Sequence, residues 1–429
     1  MLESLFKLSQ NNTTVRRELL AGLTTFLTMA YIMFVNPQIL GDAGMDKGAV
    51  FVATCLGAAL GTAIMGLYAN YPVALAPGMG LNAYFTYGVV NGMGYSWQVA
   101  LGAVFISGCL FLILSLLPVR EWIINSIPRS LKFAIAAGIG FFLAIIGLKN
   151  AGLVVAHPAT LVALGNLKSA PVLLACVGFL AIVALEARRV PGALMIAILG
   201  ITAVGVLMGV SPGGGLVAMP PSLAPTFLAM DVVGALHIGL VAIIFAFFMV
   251  DLFDNAGTLI GVAQRGGLLD SQGRLPRIGK ALVADSVATM GGAALGTSTV
   301  TSYIESAAGI NAGGRTGLTA VTVAVLFLLG LFFAPLAGII PAYATAPALV
   351  FVACLMARGL AEIAWDDITE AAPALVTAIA MPLTFSIATG IGLGFIVYAA
   401  GKILSGRFSE VNPAVLIISI AFVVKFILT

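Results

Sequence analysis

Apolar runs of about 20 residues, the length a helix needs to cross a bilayer, follow one another along nearly the whole chain. That recurrence limits the fold more than any other feature. A soluble protein of this size would carry roughly a quarter of its residues as charges, whereas here 61% are apolar and 9% charged. An all-α, polytopic membrane protein is therefore expected. The opening MLESLFKLSQNNTTVRRELLAG lacks a short apolar core followed by a small-residue cleavage site, so it is read as a polar cytoplasmic entry and not a signal peptide.

Crossings are placed near 17–39, 49–69, 73–90, 98–118, 130–148, 170–187, 191–209, 234–263, 280–295, 297–313, 316–334, 341–358, 384–403 and 411–428, which makes fourteen. Lys and Arg accumulate on the cytoplasmic side of a membrane. With both termini cytoplasmic, fifteen of the 20 Lys and Arg fall on that side, among them Arg16, Arg17, Arg120, Arg129, Lys132, Arg265, Arg274, Arg315 and Lys425. Only Lys47, Lys149, Lys168, Lys402 and Arg407 fall on the other. The segments 150–169 and 362–381 are read as helices lying at the membrane surface.

The halves look related. GFLAIVALEARRVPGALMIAI (178–198) and GFIVYAAGKILSGRFSEVNPAVLIISI (394–420) share a Gly-Phe opening, a basic turn, a proline and an apolar finish. Seven spans per half is an odd number, so the second half would insert upside down, giving a 7+7 inverted repeat.

Two stretches at corresponding places should break as helices. YPVALAPGMGLNAYFTYG (71–88) holds Pro77, Gly78 and Gly80, and GTSTVTSYIESAAGINAGG (296–314) opens with Thr297 to Ser302, five of six being Ser or Thr and Thr301 among them. Proline removes an amide donor and β-branched residues favour extended backbone, so short strands followed by half-helices are expected in spans 3 and 10. Irregular backbone at membrane depth needs protein or a wet cavity around it, which points to a central site. Asn82 and Glu305 fall early in the two half-helices.

In the eighth span, FFMVDLFDNAGTLIG sets Asp251, Asp254 and Thr258 within about 60° of one helical face. A carboxylate at that depth costs about 3 kcal/mol on insertion scales, so it should serve a pathway. Cys55, Cys109, Cys176 and Cys354 sit in apolar runs without paired spacing, so neither disulfides nor a metal site is expected. His157 and His237 read as solvated or interfacial. A net charge of +3, scattered along the chain, implies no nucleic-acid surface.

Four stretches, FLTMAYIMFVNPQIL, VALAPGMGLNAYF, VDLFDNAGTLIGVA and GTSTVTSYIESAAGINAGGRTGLTA, resemble the AzgA-like purine permeases of the nucleobase–cation symporters, which carry adenine, guanine and hypoxanthine. The resemblance covers nearly the whole chain. It implies the uracil-permease fold, with a core domain from 1–118 and 233–338 (spans 1–4 and 8–11) and a gate domain from 119–232 and 339–429 (spans 5–7 and 12–14). It further implies a purine site between the broken spans and the eighth helix, with Asp251, Glu305 and Asn82 as the functional groups. Tyr303 resembles the aromatic neighbour of the tenth-span acid, and Thr258 and Thr301 are expected to support the site.

A purine is flat, neutral and rimmed with donors and acceptors, which suits an aromatic wall and a few oriented polar groups. Accumulating a neutral solute needs a coupled ion, and the paired Asp251 and Asp254 suit a proton. Proton symport without any further cofactor is expected, with the purine and the bilayer as partners and the gate spans as the surface of a homodimer. An anion carrier of the same fold would need positive potential where this chain supplies acids. A channel would want repeated polar rings, and an enzyme a metal set or activated nucleophile; neither pattern is present in the sequence.

Overall fold

The computed structural model describes residues 2–117, 127–237, 240–270 and 275–428. Arg120, Arg274, the expected 118/119 domain boundary and the side chain of Arg265 lie outside them.

The first span is α1 (Val15–Met29), started by the Thr14 side chain accepting from Arg17 N, and α2 (Ile32–Gly41), with a break at Ala30 and Tyr31 between them. Next comes α3 (Lys47–Ile64), capped by Asp46 and extended by the π-helical segment Met65–Ala69. The third span breaks as the sequence requires: β1 (Leu75–Pro77), then α4 (Met79–Ala83), then a second π-helical stretch, Tyr84–Val90. Then follow α5 (Trp97–Leu116), α6 (Arg129–Asn150), β2 (Val154–His157), β3 (Leu161–Leu164), α7 (Ala170–Ala187) and α8 (Ala193–Leu207). The second half holds α9 (Val241–Gly266), α10 (Ile278–Leu295), β4 (Val300–Ser302), α11 (Ser306–Asn311), α12 (Gly317–Gly330), α13 (Ala342–Ala357), α14 (Ile368–Thr384), α15 (Ile387–Leu404) and α16 (Pro413–Leu428).

Packing falls into two groups. One joins α1, α3, α5, α9, α10, α11 and α12 around the broken spans; the other joins α6, α7, α8, α13, α14, α15 and α16. At the centre of the first, β1 and β4 pair antiparallel, Leu75 with Ser302, Ala76 with Thr301 and Pro77 with Val300. A strand and half-helix from each half, meeting in opposite directions, is the arrangement an inverted repeat produces.

Three expectations need correction. Residues 150–169 do not form a surface helix: Val154 to Leu164 make an exposed antiparallel hairpin, because β-branched and leucine residues flank the Pro158 turn. Residues 362–381 do not lie at the surface either, since Ala371, Pro373, Ala374, Thr377, Ala378 and Met381 of α14 are buried against α6 and α15. A half-polar start hid an apolar helix.

The third concerns charge. Arg129 pairs with Glu362 at 2.7 Å, Ser130 donates to Glu370, and Lys402 pairs with Glu370 at 2.8 Å. Lys402 and Arg407 therefore share the Arg129 face, so α14 and α15 rise from it and return to it. Moving both to that face sharpens the Lys/Arg asymmetry. Ser419 of α16 donates to the Phe395 carbonyl and Phe422 meets Gly392, so α16 runs antiparallel to α15 and its last turn, with Lys425, points toward the Lys149 face. The count of fourteen is thus not reproduced element by element. Nor does the 178–198/394–420 likeness arise from inversion. The α7–α8 turn lies on the Arg129 face too, because Ser211 beyond α8 meets Tyr343 at the opposite end of α13.

Asp367 starts α14 by accepting from Thr369 N at 2.9 Å and pairs with Arg407 at 2.6 Å. The Thr369 hydroxyl, then Arg407, hold its carboxyl below the usual carboxylate range. A depressed folded-state value gives stability that is complete above the unfolded value and lost as pH falls toward the folded one. Thermal scans of purified protein below about pH 4 are expected to show a smaller acid-induced drop in Tm for Asp367→Asn than for wild type.

Candidate functional site

The paired strands act as a frame on which buried polar groups of five helices converge. Ser302 anchors one side: its amide donates to Asn255 Oδ1 at 2.7 Å and its hydroxyl to both oxygens of Asp285, at 2.9 and 3.1 Å. Asp251 lies behind Asn255, accepting from Asn255 Nδ2 at 2.9 Å and from the Thr289 hydroxyl at 3.1 Å, and Thr289 also points at the Val300 carbonyl. Asp251, Asn255, Asp285 and Thr289 are all fully buried. At this depth an unpaired polar group is costly, and here each carboxylate has neutral donors.

Around the other side, Asn36 of α2 donates to the Thr54 and Thr297 hydroxyls, both at 2.8 Å, and accepts from Asn82 Nδ2 at 2.6 Å. The Asn82 carbonyl oxygen is left buried with no partner among the described residues. Tyr303 N donates to Ala74 O at 2.9 Å, and the Tyr303 hydroxyl to Pro77 O at 2.6 Å, which locks its ring against the frame. Glu305 precedes α11 yet does not cap it; its Oε1 accepts from the Tyr31 hydroxyl at 2.8 Å.

The expected residues thus divide. Asn82, Asp251, Tyr303 and Glu305 are brought together on one frame. Asp254 follows Asp251 by three residues on α9, about one turn further along the same face. It is half-buried and accepts no hydrogen bond among the described residues. Thr258 is half-buried on the same stripe of α9, where Gly257 and Gly261 have open space beside them. Thr301 pairs through its backbone with Ala76 while its side chain covers Gly78, where a Cβ would stand 2.9 Å from the Thr301 hydroxyl. The accessible acids are therefore Asp254 and Glu305, and Asp251 is the enclosed one.

Sequence reasoning passed over Tyr31, Asn36, Asn255, Asp285 and Thr289. Asp285 carried a usable signal, an acid inside an apolar span. Tyr31 and Asn36 lay within FLTMAYIMFVNPQIL, but nothing in their spacing tied them to span 10.

The two helix groups meet beside this frame. Phe385, which stacks edge-on with Phe142 of α6, brings its carbonyl oxygen within 3.3 Å of where a Cβ on Gly88 would stand, and Asn150 reaches the Tyr87 hydroxyl at 3.5 Å. A concavity of about 410 Å³ bounded by Asp42, Tyr87, Asn91, Lys149 and Phe385 lies along that seam, and none of Asp251, Asp254, Asp285 and Glu305 lines it.

The model of the Permease family matches residues 16–393. The chain belongs to that family, the nucleobase–ascorbate transporters. It is 50% identical over 427 residues to the adenine permease AdeP of Escherichia coli (strain K12), covering 100% of this chain and 96% of AdeP. To the guanine/hypoxanthine permease PbuG of Bacillus subtilis (strain 168) it is 45% identical over 438 residues, covering 99% of each. Among solved structures, the transmembrane domain of the cyanobacterial bicarbonate transporter BicA superposes with a TM-score of 0.65 at 18% identity, over 88% of this chain and 96% of that one. That likeness concerns the fold alone. The chain is a multi-pass membrane protein with the same 7+7 architecture as its structural neighbours.

Proposed function

We propose that this permease imports purine nucleobases, adenine or guanine and hypoxanthine, across the cell membrane by proton symport. One observation carries the reading: carboxylates of spans 8, 9 and 10 gather on the β1–β4 frame in a chain half identical to adenine permeases. Carboxylates accept from the N–H groups of a neutral base, and among the described residues acids, with no Lys or Arg paired to them, stand where an anion would need positive potential. The bicarbonate-type alternative has the fold in its favour and the chemistry against it.

In this reading Glu305 and Asp254 face the substrate space, Asn82 offers its free carbonyl and Tyr303 forms the wall. Asp251 and Asp285 hold the strand in register. A proton enters on Asp254 or Asp251, which stand about one turn apart on the same face of α9. The core group, with the site, moves against the gate group along the seam where Tyr87 and Gly88 meet Asn150 and Phe385. The N-terminus is cytoplasmic because it lies on the Lys/Arg-rich face, and the gate helices supply the surface for a homodimer.

The test is uptake of labelled adenine by cells lacking their own purine carriers, competed by adenine, guanine, hypoxanthine, uracil and sulfate at two external pH values. Purines should compete, sulfate should not, and a protonophore should abolish accumulation. Sodium dependence with protonophore resistance would overturn the coupling, and sulfate competition the substrate class.

A further inference from the structure

We propose that Tyr31 is a positioning residue of the purine site: its hydroxyl commits one oxygen of Glu305, so that the other meets a single N–H of the base. The inference rests on the functional reading above. Tyr31 stands in the break between α1 and α2, fully buried, with its hydroxyl 2.8 Å from Glu305 Oε1. A side chain just before a helix can turn back to cap it, a role Asp fills far more readily than Glu. Glu305 does not, and Tyr31 is the one side chain that donates to it among the described residues. No side chain among the described residues donates to Oε2, and Glu305 is half-buried beside Ile304, which is 45% exposed, so Glu305 borders reachable space. Beside it Tyr303 is tied to the frame through Pro77.

A phenol donates one hydrogen. Held at Oε1, the carboxylate plane is fixed and presents one oxygen. Released, it can turn and use both oxygens toward two adjacent donors. Guanine carries a ring N–H and an exocyclic amino group side by side; hypoxanthine has the ring N–H without the amino group. Removing the Tyr31 hydroxyl should therefore penalise hypoxanthine more than guanine, a discrimination that loosened packing would not produce.

The experiment measures the Kd of both bases for purified full-length protein, as wild type, Tyr31→Phe, Glu305→Gln and the double variant, with uptake KM and Vmax alongside. Tyr31→Phe is expected to raise the hypoxanthine Kd and KM about tenfold and the guanine Kd less than about threefold, with Vmax changed little. In the Glu305→Gln background the same substitution should change either Kd less than about twofold. Tyr31→His, which keeps a donor, should recover part of the hypoxanthine affinity. Equal losses for both bases, or the same loss with and without the Glu305 carboxylate, would overturn the positioning role while leaving the functional reading intact. Wild-type protein that binds neither purine would instead overturn that reading, and this inference with it.

Discussion

Cells producing the Glu305→Gln protein are expected to take up labelled purine at least about tenfold more slowly than wild type, and Asp251→Asn should cost as much by a different route. In the proposed reading Glu305 presents one oxygen to the base while Tyr31 holds the other. Replacing the carboxylate by an amide puts a donor where the base needs an acceptor, and a mismatched buried hydrogen bond costs about 1–3 kcal/mol. Asp251 touches no open space. Both its oxygens accept, from Asn255 and Thr289, and Asn255 in turn receives Ser302 N. An asparagine there sets its amide N–H₂ against one of those two donors, so the strand that carries Ser302 and Tyr303 loses its register. The two variants should separate in a thermal scan: Asp251→Asn lowers Tm along with uptake, whereas Glu305→Gln lowers uptake with Tm close to wild type. Normal surface expression with near-normal transport in both would take these residues out of the site.

How far such a site can be read from the chain depends on what each residue answers to. Breaks at Pro77–Gly80 and Thr297–Ser302 were visible because they are local: a missing amide donor, absent side chains and β-branched residues act within a few positions. The acids of span 9 and span 8 were equally open to reading, since a carboxylate in an apolar run is conspicuous at any depth, yet only span 8 was used. Tyr31 and Asn36 differ in kind. Their partners, Glu305 at 2.8 Å and Thr297 at 2.8 Å, are more than 250 positions away, and neither a tyrosine nor an asparagine in a span signals which helix it will meet. The anion carriers that share the fold make the same point from the other side. At 18% identity the architecture persists while the chemistry of its centre is free to change.

Lys402→Met is expected to lower the Tm of the purified protein by about 5 °C. Its ammonium is 1% exposed and lies 2.6 Å from Glu410 and 2.8 Å from Glu370, with Asp367 at 3.8 Å. Breaking a fully buried pair from one side costs about 3–5 kcal/mol, because the remaining charges keep their desolvation without their partner. Here Glu410 is 48% exposed and solvent screens part of the loss, so about 2–3 kcal/mol is the reasonable expectation. The sequence reading placed Lys402 on the opposite face, away from Arg129 and its partners, where its removal would break none of these pairs. The two positions therefore predict different results from one melt. Adding Glu370→Gln to Lys402→Met should recover part of the loss if the ammonium is enclosed, since it removes one of the stranded carboxylates while keeping its shape and its contact with Ser130. Uptake per folded molecule should hold in both variants, because this cluster ties α14 and α15 to the end of α6 and none of its members reaches the β1–β4 frame.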